Sequence, residues 1–160
     1  MKKNLLFLLA LLPLALGFAA CSDDNDLPNV DITTNFGDAK IVNGVVYVVQ
    51  GETLTIEGLT ITNKEEGKGA GISSANYYWD YVFVGTNPLP PYGFKFETTE
   101  DTPVGRHVLE IICPVFAVDK TLADALLAYN VQVVASPDDI PEGGESTDTT
   151  TPAVTAKTGK

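Results

Sequence analysis

Apolar and polar positions divide the chain into three stretches of different rhythm. Residues 5–16, LLFLLALLPLAL, are apolar throughout and follow Lys2 and Lys3. From residue 31 to 135, short β-branched and aromatic runs alternate with Gly, Asn, Pro and Asp. That alternation predicts strands and turns of an all-β sandwich or barrel. Residues 136–160 are rich in Pro, Glu, Ser, Thr, Gly and Asp, have little to bury, and are expected to form a disordered tail.

Within the middle stretch the strands follow the period-two pattern. Val45–Val49 (VVYVV) follows the turn signal Asn43-Gly44. In Thr53–Ile56, Leu54 and Ile56 share one face; Gly58 interrupts the run, as at a bulge, before LTIT resumes. Residues 63–74 read as a loop. Residues 77–84 (YYWDYVFV) read as one strand, with Tyr77, Trp79, Tyr81 and Phe83 on an aromatic core face and Tyr78, Asp80, Val82 and Val84 opposite. Pro88, Pro90 and Pro91 stiffen the next loop, and Phe94 and Phe96 point inward from a short strand. Residues 106–116 form the longest strand, with His107, Leu109, Ile111, Cys113 and Val115 on one face and Arg106, Val108, Glu110 and Ile112 on the other. Pro114 cannot donate a ladder bond, so a pairing partner is lost there or the strand bulges. Residues 122–127 are expected to make one or two helical turns, and 129–134 (YNVQVV) a closing strand.

About seven strands over about 105 residues, with no helical repeat, match the size and rhythm of a single immunoglobulin-like β-sandwich over 31–135. In order, the Gly51-Glu52-Thr53-Leu54 strand, the Tyr77-Tyr78-Trp79-Asp80 strand and the Gly105-Arg106-His107-Val108-Leu109 strand resemble the small Ig-like lipoproteins of the Bacteroidota type. The resemblance covers roughly two-thirds of the chain. The paired inter-sheet cysteines of antibody domains are missing, because Cys113 has no second cysteine in the domain.

Residues 1–20 read as a signal peptide. The apolar run is shorter than the roughly 20 residues a membrane span requires, contains Pro13, and ends in small residues ahead of Cys21. An ordinary secretory peptide would leave Cys21 as a free thiol in an oxidising compartment, where it is a liability. Phe18-Ala19-Ala20-Cys21 resembles a lipobox, in which the cysteine is acylated and becomes the first mature residue; Phe18 stands where that motif usually carries an aliphatic side chain. Ser22, Asp23, Asp24, Asn25 and Asp26 resemble the acidic export signal of Bacteroidota-type surface lipoproteins. These resemblances imply a lipid on Cys21, attachment to the cell outer membrane and an outward-facing domain, with residues 21–30 as an acidic tether. As a plain sequence the acidic run is a solvated spacer, and it lacks the glycine and distal glutamate of a calcium loop.

Charge narrows the partners. The net charge is −11; cleavage before Cys21 removes Lys2 and Lys3 and leaves 8 basic against 21 acidic residues, a formal −13. Such a surface repels phosphate backbones and anionic headgroups, so nucleic acid is not expected as a partner and a covalent anchor is the expected membrane attachment.

Catalytic chemistry has little to build on. His107, the sole histidine, lies six residues from Cys113 on one strand, about 20 Å away, so the two form no dyad. His107 is expected to pack where its strand begins, bonded to backbone, and Cys113 to be an inert core residue. One histidine and no CxxC leave no zinc site. Gly67-Lys68-Gly69-Ala70-Gly71 lies between strands and is a flexible loop, not a phosphate cradle. No cofactor is expected. Asp80 and Glu110, with Arg106 nearby, read as a surface ion-pair lattice in preference to a hydrolytic carboxylate pair. Thr147–Thr151 offers hydroxyls to O-glycans, though a plain solvated tail is the favoured reading.

Two functions from different classes remain. The first is a cell-surface binding or adhesion module for a glycan or protein ligand, with the outer face of Tyr78, Asp80, Arg106 and Glu110 and the loop around Tyr92 as its candidate surface. The second is an accessory or structural subunit of an outer-membrane envelope complex, pairing through a sheet edge. An exposed aromatic cluster favours the first; an uncovered, uncharged edge strand favours the second. An enzyme is a distant third.

Overall fold

The computed structural model describes residues 27–142 and 153–156. The signal peptide, Cys21, the run Ser22–Asp26 and Thr147–Thr151 lie outside the described residues.

The described chain is a two-layer β-sandwich. The strands are β1 (Val30–Asn35), β2 (Lys40–Val42), β3 (Val45–Val49), β4 (Thr53–Ile56), β5 (Gly58–Asn63), β6 (Ala70–Ile72), β7 (Ala75–Trp79), β8 (Val82–Asn87), β9 (Phe94–Glu97), β10 (Gly105–Ala117), β11 (Ala123–Val134) and β12 (Ala153–Ala156). The larger layer runs β2-β3-β11-β10-β7-β8, with β6 added to β10 and β12 to β11. The smaller layer consists of β1 on β5 and β4 on β9; β4 and β5 are one strand interrupted at Glu57. The chain crosses repeatedly between layers, and β7, β10 and β11 stand in the C–F–G order of an immunoglobulin-like sandwich. Early β3 returns to pair in parallel with late β11, Val46 opposite Val131.

The core follows from the alternation. The inward face of β10 (His107, Leu109, Ile111, Cys113, Val115) and that of β11 (Ala123, Ala125, Leu127, Tyr129, Val131, Val133) are buried, against Val30, Ile32, Leu54 and Ile56 of the smaller layer. Aromatic stacks bind the layers: Phe94 lies on Tyr77 at 4.4 Å and Phe96 on Trp79 at 4.0 Å, both nearly parallel. Tyr129 donates to the Thr34 hydroxyl across the core at 2.6 Å.

Four local expectations are refined. Residues 122–127 are not helical: from Ala123 they lie in β11, paired with β10 from Val115 opposite Ala123 to Ile111 opposite Leu127. The alanines favour helix, but alternate burial of Ala123, Ala125 and Leu127 decides for strand. Pro114 sits where β7 has ended its pairing with β10 and β6 begins it, and its carbonyl accepts from the Ser73 N–H at 3.0 Å. Its missing donor therefore falls in a gap between partners. At Gly58 the backbone passes so close to Pro91 that a Cβ would stand 2.8 Å from that proline's carbonyl oxygen. Finally, the stretch expected to be a disordered tail contains a capped 3-10 turn at Pro137–Asp139 and β12 on the edge of β11.

Candidate functional site

The aromatic stretch 77–84 is two strands, not one. Trp79 pairs with Val82 across Asp80 and Tyr81, whose φ angles are +48° and +67°. Two consecutive positive φ values make this a type I′ hairpin turn. The β2–β3 turn uses the same geometry at Asn43-Gly44 (+52°, +72°), where the sequence suits it. Tyr81 does not suit it: a Cβ in the left-handed region costs about 1–2 kcal/mol. The chain reversal ends the core face at Trp79. Tyr81 is 72% exposed and Phe83 54%, with Val82 exposed between them. Tyr78 meets Phe83 edge-on at 5.5 Å on the outer face, beside a bulge at Tyr77/Tyr78.

Beneath this hairpin lies a rigid support. His107 is buried against Trp79, ring centroids 5.0 Å apart. Its Nε2 lies 2.8 Å from the Pro103 carbonyl and its Nδ1 2.7 Å from Asp80 Oδ2. The other oxygen of Asp80 accepts the Val108 N–H at 2.9 Å. The backbone contact of His107 is the one the sequence suggested; the Asp80 contact is additional, and it replaces the expected lattice of Asp80 with Arg106 and Glu110. One carboxylate thus ties the hairpin turn to β10.

The five proposed ligand-face residues separate. Glu110 lies directly opposite Tyr78 in register, and Arg106 is four residues along the same outer face. Asp80 is drawn into the turn. Tyr92, half-buried at φ +65°, donates to the Ile72 carbonyl at 2.6 Å, and its own carbonyl accepts from the Tyr77 hydroxyl. It locks the proline loop onto the core, away from Tyr78 and Glu110. An unbroken period-two pattern through 77–84 puts Tyr81 and Phe83 on the core face and Val82 beside Tyr78, so it does not bring the three together at an exposed turn. The signal within it was Asp80, a turn former amid aromatics.

The remaining candidate groups are committed elsewhere. Cys113 is fully buried, and burial pushes its thiol up to about 12, with Asp124 adding to the shift. Burial likewise raises the Tyr77 phenol. Among the described residues no three His, Cys, Asp or Glu side chains gather as a metal site. Beyond Phe83, β8 is the terminal strand of the larger layer, and its sequence, VFVGTN, carries no charge.

No family model matches the chain, and no curated protein matches it. Among solved structures it is similar to fibronectin(III)-like modules of Clostridium thermocellum CbhA, at 17% identity over 64% of this chain and 94% of that one, with a TM-score of 0.39. The strand order, not this likeness, carries the fold.

Proposed function

We propose that the chain is a lipid-anchored, non-catalytic binding module, held through Cys21 at the cell outer membrane and facing outward, which contacts a glycan or protein ligand with the β7–β8 hairpin. The observation that carries this reading is Tyr81: a large aromatic held in the left-handed region, mostly exposed, on a turn braced by Asp80 and His107. Strain retained at an exposed aromatic is a mark of a working surface. Tyr78, Phe83, Glu110 and Arg106 extend the surface along the outer face. The hairpin turn also lies next to Val108, at the end of β10 opposite the start of the described chain.

The uncovered, uncharged edge of β8 supports a second reading, an accessory subunit that adds this edge to a strand of an envelope protein. One set of measurements tests both. A photo-crosslinking amino acid at Phe83 on intact cells is expected to capture a ligand, and one at exposed Glu66 is not. A polypeptide adduct lost on Val82→Lys favours strand addition; glycan-array binding lost on Tyr81→Gly favours a sugar ligand. Absence of both overturns the binding reading. For the anchor, Cys21→Ala is expected to release the chain from membranes. Changing Asp23, Asp24 and Asp26 to Ala is expected to leave it anchored but hidden from protease added to intact cells. Equal cleavage of both forms would reduce the acidic run to a spacer.

A further inference from the structure

At the end opposite the hairpin, a second apolar cluster has no part in that surface. Where β10 passes into β11 through residues 118–122, Phe116, Val118, Leu122 and Leu126 are each 37–55% exposed. Phe116 pairs with Gly71 of β6, and its ring lies across the space a Cβ there would fill, so it is spread over the sheet. Ile112 and Pro114 continue the apolar strip on the same outer face of β10.

The described chain begins at this same end. The Lys64 N–H bonds to the Asn29 carbonyl at 2.9 Å, Glu65 bridges to Lys120 at 2.8 Å, and the Val118 N–H reaches Gly69. Seven residues lie between Cys21 and Asn29, so an anchored Cys21 lies no more than about 29 Å from Asn29, at this same end. Ala156 of β12 pairs with Ala123 at this end, and Lys157 and Lys160 follow it in the sequence. Local charge is largely paired: Lys64 with Asp31, and Lys68 and Lys120 with Glu65. Glu66, Asp119 and Asp124 stand at the same end, which suits shallow contact at headgroup level and not insertion into hydrocarbon.

The geometry points to a lipid-facing tip: Phe116, Val118, Leu122 and Leu126 rest in the interface of the leaflet that holds the Cys21 lipid, and so stand the β7–β8 hairpin away from the membrane. This rests on the anchor reading above. The attraction is apolar and needs no basic patch, and repulsion between the strongly acidic remainder of the chain and anionic headgroups turns that remainder outward.

The test uses the mature chain purified from membranes, its acylation established by mass, in phosphatidylcholine–phosphatidylethanolamine vesicles. An environment-sensitive fluorophore is placed at Val118→Cys or, as the distal control, at Val104→Cys; buried Cys113 leaves the parent chain unlabelled. Brominated lipid is expected to quench the Val118 label about two-fold and to leave the Val104 label unchanged. A Val118 label as wet as the Val104 label, a blue-shifted label that brominated lipid does not quench (a protein cover), or equal quenching at both sites would each overturn the inference while leaving the anchor intact. An unacylated Cys21 would overturn the anchor and the inference together.

Discussion

The two ends of the larger layer, about 30 Å apart along β10, both expose apolar side chains, but they are built differently. The distal end is braced. Tyr81 and Phe83 project from a tight turn whose Asp80 is tied to His107 and Val108, with Trp79 and Phe96 stacked beneath. The proximal end is simply a hairpin whose outer residues were not made polar, edged by exposed ion pairs. A braced, strained cluster fits a ligand that must be met in one geometry; an unbraced one fits a fluid surface that asks only for apolar area.

The largest expected effect that sharpens this contrast is at Trp79. Trp79→Ala removes the layer between Phe96 and His107 and is expected to cost about 3–5 kcal/mol in urea unfolding. The native emission should be blue-shifted and move to the red on unfolding. Little loss of stability would mean that the distal end is not braced by its stack.

Next is Asp80→Ala, which leaves the Val108 N–H and one ring nitrogen of His107 without their acceptor and is expected to cost about 1–3 kcal/mol. Val118→Ser at the proximal tip is expected to stay within about 0.5 kcal/mol. Equal costs for the two would abolish the distinction between the ends. Tyr81→Gly moves stability the other way: relieving a side chain at φ +67° is expected to add about 0.5–1 kcal/mol, while ligand capture at the hairpin is lost. A destabilised Tyr81→Gly would show that Tyr81 supports the fold and not a ligand.

The smallest effect is at the proximal ion pairs. Hydrogen bonds from Lys120 and then Lys68 hold the Glu65 carboxyl below its ordinary range. Its folded-state value is depressed, so its contribution is full above the ordinary carboxylate pKa and is lost as pH falls through the lowered value. Glu65 lies at the surface with its side chain 31% exposed, so the effect is small and salt-screened. Thermal melts of Glu65→Gln and the wild type should differ slightly at pH 7 and converge in acid; a difference that persists in acid would assign the loss to packing.

How far the sequence could be read depended on whether the deciding contact was local. Asn43-Gly44 announced its turn because both residues accept positive φ at little cost. Asp80-Tyr81 makes the same turn without the same chemistry, since Tyr81 is held there by pairing on either side, and alternation through 77–84 gave no break. Trp79, Phe94 and Phe96 were legible as core because large aromatics in period-two register bury together. For the ligand face, alternation placed Tyr78, Arg106 and Glu110 on one side of the sheet, but it could not show that Asp80 turns to His107 or that Tyr92 is bound to Ile72.

The sequence by itself determined the all-β class, the inward face of β10, the packed state of His107 and Cys113, and the strongly acidic composition. These follow from side-chain period and composition, which act along the chain. Only the tertiary structure decided that 122–127 is strand, that 77–84 folds back on itself, and that two exposed apolar clusters stand at opposite ends, one of them where the described chain begins. Those outcomes depend on which strands become neighbours: the pairing of β10 with β11 overrides the helical preference of alanine, and the pairing of β7 with β8 forces Tyr81 into a conformation its own backbone preference would refuse.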